Sequence, residues 1–396
     1  MRIGYIIGTL ALGGTEIHLA ELLPVLKARG HEVSILVIGP MGPFADMLTR
    51  EDVTIYPPEP LRVPTRFPVW LRWIVRAALL PPLLCWFALR HRNGILHIFH
   101  PESRCLCVPL LLPWRRRLVV SQRSLLTYRT RYPRLVTHLD RFAFRQSTLV
   151  LANSRRVAEE LTDDGVDIAK MSVIYNGLSA KRLNPRDSSR SVARAGLDIG
   201  ADTLVMMVVA NLHHYKGHAD LLEALAVLKG QGVLGPNWML LCVGRDIAVD
   251  GRELTPHNSR CAALNARSSA LGLSGHVVFL GERHDVPFLL PAADVGVLPS
   301  HEEGFSNALI EKMAAGLAIV ATDVGGNAEA LDHGGAGLLV PAGDVKRLAQ
   351  ALATVVCDRN LRRRLGAAAK ERALAEYGIA QCAAAYEDAY ATVIRR

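Results

Sequence analysis

The sequence predicts an α/β protein built from two doubly wound domains. Three observations carry this. The opening MRIGYIIGTLALGGTEIHLAELLPVLKARGHEVSILVIG places an apolar run, a glycine-rich loop, an amphipathic stretch and a second apolar run in series. That order is a βαβ unit, which calls for a parallel sheet. A second series of the same kind starts near Asp202. Finally, 396 residues exceed what one core usually organises, since domains run to about 100–200 residues.

In the first half, strands are predicted from Ile3 to Ile7, Val33 to Ile38, Ile95 to Phe99, Leu118 to Ser121, Leu149 to Ala152 and Ser172 to Tyr175. The first helix covers Thr15 to Ala28 and ends in a turn at Gly30. In the second half, strands are predicted from Thr203 to Val209, Trp238 to Val243, Val277 to Leu280, Val295 to Leu298, Ile319 to Ala321 and Gly337 to Val340. The polar stretch NPRDSSRSVARA, Asn184 to Ala195, reads as the link between the halves. The domains are therefore predicted as 1–185 and 196–375, with a final helix over 376–396 in an alanine-rich end.

Charge is distributed unevenly. Residues 1–190 hold 27 Lys+Arg against 15 Asp+Glu, and the remainder 19 against 22. Between Arg62 and Arg156 there are 18 arginines and two acids, Glu102 and Asp140, a cationic field suited to phosphate, nucleic acid or an anionic membrane. A nucleic-acid role is disfavoured, because the basic region is interleaved with long aliphatic runs and has no recognition motif. The segment 67–92, FPVWLRWIVRAALLPPLLCWFALRHR, carries three tryptophans among aliphatics and arginines. Its longest uncharged run is the 13 residues Ala77 to Leu89, whereas spanning a bilayer takes about 20. An interfacial helix pair on an anionic membrane surface is expected, and Pro113 to Arg117 repeats its chemistry; burial against the N-terminal sheet is the other reading. Seven cysteines with no Cys-x-x-Cys pair point to a reduced, cytoplasmic compartment. A strand beginning at Arg2 leaves no room for a cleaved signal peptide. A peripheral enzyme at the inner face of the plasma membrane is the expectation.

The stretch EEGFSNALIE, residues 302–311, carries the chemistry. It follows the predicted strand Val295 to Leu298 and opens a helix, with Ser306 as its N-cap and Gly316 just past its end. Amides at Phe305, Ser306 and Asn307 then form an anion site at the carboxyl edge of a parallel sheet, where ligands of such sheets bind. An acid beside an anion site repels phosphate unless it contacts a neutral part of the same ligand, and sugar hydroxyls are such a part. A nucleotide sugar satisfies both. Gly13-Gly14 lacks both the dinucleotide fingerprint and a P-loop lysine. His214 and His218 have a metal-like spacing with no third ligand near, and His97 and His100 read equally well as core histidines.

SHEEGFSNALIEKMAAGLAIVATDVGGNAEAL resembles the signature of retaining glycosyltransferases of family 4, a Glu-x7-Glu pair that here selects Glu303 and Glu311. LGGTE, LANSRRVAEEL, VIYNGL, NLHHYKGH and AGLLVPAGD extend the resemblance over nearly the whole chain. It implies the GT-B architecture, two Rossmann-like domains facing a central cleft, with the last helix crossing back to the N-terminal, acceptor-binding domain. It implies that Glu311 holds the ribose hydroxyls and Glu303 contacts the donor sugar. Backbone at 305–307 would help fix sugar and diphosphate, Lys216 would neutralise the diphosphate, and Gly14, next to Gly13, would let the backbone approach it. Such enzymes need no metal. The implied activity moves a hexosyl unit, from a UDP-sugar first of all, to a glycan or lipid-linked acceptor in bacterial surface polysaccharide synthesis.

The chain departs from the family pattern at four places. Asn211 stands where an arginine is usual, with His213, His214 or Arg245 as substitutes for its charge. Arg123 stands where many members have a histidine; an arginine is no general base, so it is assigned to phosphate or acceptor. Lys312 and Ala318 replace the usual Ala and Pro without an evident chemical consequence. A nucleotide-sugar epimerase or hydrolase, or a non-catalytic membrane-associated binding protein, stays open beside the transferase reading.

Overall fold

The computed structural model describes residues 1–11, 13–57, 69–185, 189–248, 254–256 and 258–395. The chain divides into two compact units, Met1–Gly177 with Ile379–Arg396, and Leu178–Gly378.

The first unit is a seven-stranded sheet of β1 (Arg2–Ile7), β2 (Glu32–Val37), β3 (Thr54–Tyr56), β4 (Ile95–Ile98), β5 (Leu118–Gln122), β6 (Leu149–Ala152) and β7 (Met171–Val173). The order is β3-β2-β1-β4-β5-β6-β7, and every pairing is parallel. The central strands are buried on both faces, which is why they read as continuous apolar runs. On one face Leu19, Leu22, Leu23 and Leu26 pack with Tyr386, Tyr390 and Val393 of the helix Ile379–Arg395. On the other, Leu84, Phe87 and Ala88 pack with Val108, Leu111 and Phe144. Strand order reverses between β1 and β4, so a ligand crevice is expected past their carboxyl ends.

The second unit holds β8 (Leu204–Val209), β9 (Trp238–Val243), β10 (Val277–Gly281), β11 (Val295–Leu298), β12 (Ala318–Thr322) and β13 (Leu338–Val340). They are parallel in the order β10-β9-β8-β11-β12-β13. Here the order reverses between β8 and β11.

Several expectations are corrected. The strand β3 was not foreseen, because three residues carry too little alternation to be read. Residues 184 and 185 and 189–195 are no linker; they belong to the second unit, which begins at Leu178 rather than after 185. In the helix Arg190–Ala195, the buried Arg194 guanidinium donates to the carbonyls of Ala292, Gly200, Ala201 and Thr203 and to Asp294, a set of bonds that fastens the segment down. Residues 186–188 lie outside the described residues.

The segment 67–92, expected to contact a membrane, is described from Val69 onward, as one helix Val69–Arg90 rather than a pair. Pro81 and Pro82 lie inside this helix and are exposed. Leu84, Phe87 and Ala88 are core, while Leu79, Trp86 and Leu89 are exposed. Burial and exposure thus divide one helix between them. In the following arginine stretch, Trp114 packs against the core, and Arg117 donates to the carbonyls of Val393 and Ile394 at the end of the last helix; Arg115 and Arg116 are exposed. Among the described residues, no helix is long and apolar enough to cross a membrane.

Candidate functional site

The site in the second unit is built by the loops that follow β8 and β11, the two strands at the reversal. After β8 the chain makes a short turn, His214–Lys216, and closes it at Gly217, whose φ is +70°. A Cβ there would lie 1.8 Å from the Pro299 carbonyl oxygen, so only glycine lets the two loops meet. This contact delivers Lys216 to Glu303.

The Lys216 Nζ donates to Glu303 Oε1 at 2.7 Å, and the buried Ser300 hydroxyl donates to the same oxygen at 2.8 Å. Burial acts to lower the Lys216 ammonium, but the charge and hydrogen bond of Glu303, with Tyr215 and Glu302, outweigh it and hold Lys216 above the usual lysine range. A positive charge is therefore secured at this loop. Behind Glu303 the loop Asp323–Gly326 supplies support: Gly326 N–H donates to the Gly304 carbonyl at 2.7 Å.

The helix that follows spans Asn307–Ala314, and Ser306 caps it by accepting from the Leu309 N–H at 3.3 Å. Phe305 is buried with its ring edge-on to Tyr377, centroids 5.3 Å apart, which holds the chain entering the helix. Glu311 lies one turn along and is 3% exposed. Its Oε1 accepts two bonds from Arg182, one from Nε at 2.8 Å and a second from Nη2. The Asn211 side-chain oxygen accepts from the Arg245 N–H at 3.0 Å, so where an arginine was expected an amide ties the ends of β8 and β9 together.

Lys312 was given no consequence by the sequence, and the structure gives it one. It is fully buried, donates to the Val297 carbonyl at 3.0 Å, and burial pushes its amine down to about 7 despite Glu303 and Glu311. His214 is exposed while His218 is buried, and burial pushes His218 down to about 3. The two do not share a surface.

In the first unit Gly13 and Gly14 open the helix Gly14–Ala28. A Cβ on Gly13 would lie 2.4 Å from Glu16 Oε2, so this glycine makes room for a side chain of its own helix. A Cβ on Gly14 would meet nothing within 4 Å. Glu16 is buried, its carboxyl pushed up to about 7 by burial, with His100 Nε2 at 3.5 Å from Oε1. Burial also lowers His100 to about 4. His97 is a core histidine: Nδ1 bonds the Tyr390 hydroxyl at 2.7 Å and Nε2 the Ser121 hydroxyl at 2.8 Å. Arg123 is held by the Tyr386 hydroxyl at 3.2 Å and by the Asn176 side-chain oxygen.

Thus Lys216, Glu303, Ser306 and Glu311 gather at one sheet edge, while Gly13, Gly14 and Arg123 belong to the other unit. Sequence reasoning missed Arg182 and Glu16. For Glu16 a signal existed, because it stands three residues after the helix N-cap Gly13, the spacing of a capping box. For Arg182 there was none.

Residues 12–182 match the family described as Glycosyltransferase Family 4, and residues 189–372 the family Glycosyl transferases group 1. Among curated proteins, the chain is 25% identical to N-acetyl-alpha-D-glucosaminyl L-malate synthase of Bacillus anthracis, over 97% of this chain and 95% of that one. It is 26% identical to the lipopolysaccharide core biosynthesis mannosyltransferase LpsB of Rhizobium meliloti, with the same coverage of 97% and 95%. Among solved structures, HepE of Anabaena in complex with UDP superposes with a TM-score of 0.82 at 22% identity, covering 99% of this chain and 100% of that one. WaaG, a glycosyltransferase involved in lipopolysaccharide biosynthesis, gives 0.69 at 17%, covering 96% and 98%. The paired parallel sheets and the matches to both halves lead to one conclusion: the chain belongs to the family 4 glycosyltransferases and has two Rossmann-like domains of the GT-B type.

Proposed function

We propose that the protein is a retaining hexosyltransferase that uses a nucleotide diphosphate sugar, a UDP-sugar first of all, and a glycan or lipid-linked acceptor of bacterial surface polysaccharide synthesis. The observation that carries the reading is the 2.7 Å approach of Lys216 to Glu303 beside the capped helix end at Ser306. A cation for a diphosphate and a carboxylate for sugar hydroxyls then meet adjacent parts of one ligand. Glu311, one turn further, is suited to the ribose hydroxyls, which a carboxylate accepts in charge-assisted bonds. As the anomeric carbon leaves the diphosphate, Lys216 and the helix end stabilise the charge that develops there, and no metal is required for that step. The acceptor oxygen bonds the anomeric carbon on the same face, and the departing diphosphate takes its proton.

The relatives named for lipopolysaccharide core and malate glycosylation, and the structural neighbour crystallised with UDP, favour this donor and acceptor class. Exposed Leu79, Trp86 and Leu89, with Leu106 and Leu110 and the exposed Arg115 and Arg116, favour peripheral attachment to an anionic bilayer from the cytoplasmic side.

A thermal-shift screen against UDP-, GDP- and ADP-sugars tests the donor, and a selective shift by UDP-sugars is expected. With the donor in hand, NMR of the product should show the donor's anomeric configuration, and EDTA should leave the rate unchanged. Inversion at the anomeric carbon, or free sugar as the main product, would overturn the assignment. Flotation with anionic liposomes at low salt tests the membrane reading, and protein left at the bottom of the gradient would remove it.

A further inference from the structure

Glu311 presents a physical problem that the sequence does not answer. A carboxylate 3% exposed is costly to ionise unless a cation stands against it, and only the ionised form accepts two hydroxyl protons. The neighbouring Lys312 does not supply that cation, since its Nζ is turned to the Val297 carbonyl at 3.0 Å. Arg182 does. Its Nε and Nη2 both reach Glu311 Oε1, so a planar group grips the carboxylate at one oxygen and fixes its rotation about the last bond.

The segment that carries Arg182 is itself anchored. Leu178 is buried and its N–H donates to the Tyr377 carbonyl at 2.9 Å; Leu183, at the end of the short helix Ala180–Leu183, is also buried. Tyr377 in turn meets Phe305, the residue before the helix N-cap. One set of contacts therefore couples the position of Arg182 to the helix that bears Glu311.

We propose that Arg182 is a positioning residue for ribose recognition: it keeps Glu311 ionised and turned so that the carboxylate selects a nucleoside diphosphate with intact ribose hydroxyls. This rests on the reading that Glu311 binds the ribose. Arg182 acts through Glu311 and not on the base, phosphates or sugar, so its removal erases discrimination between ribose and a sugar lacking both hydroxyls.

The test is titration calorimetry with UDP and with 2′,3′-dideoxyuridine diphosphate on the full chain and on R182Q, R182K and E311Q. The unaltered protein is expected to prefer UDP by roughly tenfold or more, from hydrogen bonds to a charged group. R182Q should weaken UDP about tenfold while leaving the dideoxy compound within about twofold, and R182K should recover only part, since lysine restores charge without the planar grip. Parallel weakening of both ligands would reduce Arg182 to a fold role, and tighter UDP binding would mean that it blocks the site; either overturns the proposal, as does an unchanged preference. If R182Q does not fold, the R182K preference decides by the same criteria. E311Q separates the two levels: if it keeps the preference for UDP, the ribose does not contact Glu311 and the underlying reading falls whatever Arg182 does.

Discussion

Each unit buries a group of ions, and the two groups are built differently. In the first unit Asp140 is saturated: Oδ1 accepts from Arg104 Nε and Nη2 at 3.1 and 2.8 Å, and Oδ2 from Arg129 at 3.1 and 2.9 Å and from Tyr128. Arg104 spends its other donors on the Ser121 carbonyl and the Gln122 side chain, each at 2.7 Å, and lies 4.5 Å over the Phe144 ring. In the second unit, Lys216 and Ser300 both converge on one oxygen of Glu303. Among the described residues Glu303 Oε2 accepts no hydrogen bond. A carboxylate with every lone pair engaged serves the fold; one gripped from a single side retains capacity for a ligand.

The contrast can be broken by substitution. Asp140→Ala leaves the buried Arg104 guanidinium without its carboxylate, while Arg129 keeps Asp164, and is expected to cost about 3–5 kcal/mol of stability, measured by urea unfolding; a loss below about 1 kcal/mol would remove the scaffold role. Glu303→Gln keeps an oxygen for the Lys216 and Ser300 donors, so kcat should fall roughly a hundredfold while the loss of unfolding free energy stays well below that of Asp140→Ala. If stability collapses instead, Glu303 belongs with Asp140.

Lys312 is a third kind of buried charge, one without a saturating partner. In the folded chain its amine holds a proton only below about pH 7, whereas an unfolded lysine holds one below 10.5. Between these values the unfolded state binds more protons, so stability falls as pH drops from about 10.5 to about 7 and is flat for this group below that. Lys312→Met should therefore flatten that part of the stability–pH curve and raise stability at pH 7 by roughly 1–3 kcal/mol, as followed by thermal unfolding across pH. An unchanged slope would show that the amine is solvated.

The smallest expected effect separates the two glycines. Gly14→Ala meets no neighbour and gains helix propensity, so stability should rise by up to about 1 kcal/mol while affinity for a UDP-sugar falls. Gly13→Ala pushes on Glu16 and should lower stability without that selective loss of affinity. Equal behaviour of the two would dissolve the distinction.

Much of this was legible beforehand. The central strands of both sheets are buried on both faces and so announced themselves as apolar runs; the short edge strand Thr54–Tyr56, with an exposed first residue, did not. Ser306 could be recognised as a cap because strand, loop and helix follow one another in the chain, whereas Glu303 and Glu311 were paired by the resemblance to the family signature. The expected helix pair over 67–92 is instead one helix from Val69, with Pro81 and Pro82 inside it.

Alone, the sequence determined the alternation of strands and helices and the serine cap that opens the helix after β11, since each depends on periodicity or on residues a few positions apart. Tertiary structure decided which charge answers which. Lys216 meets Glu303 across 87 residues, Arg182 meets Glu311 across 129, and Tyr390 meets His97 across 293. Ion pairs and buried hydrogen bonds follow distance in space and the water excluded around them, and neither quantity leaves a period in the chain.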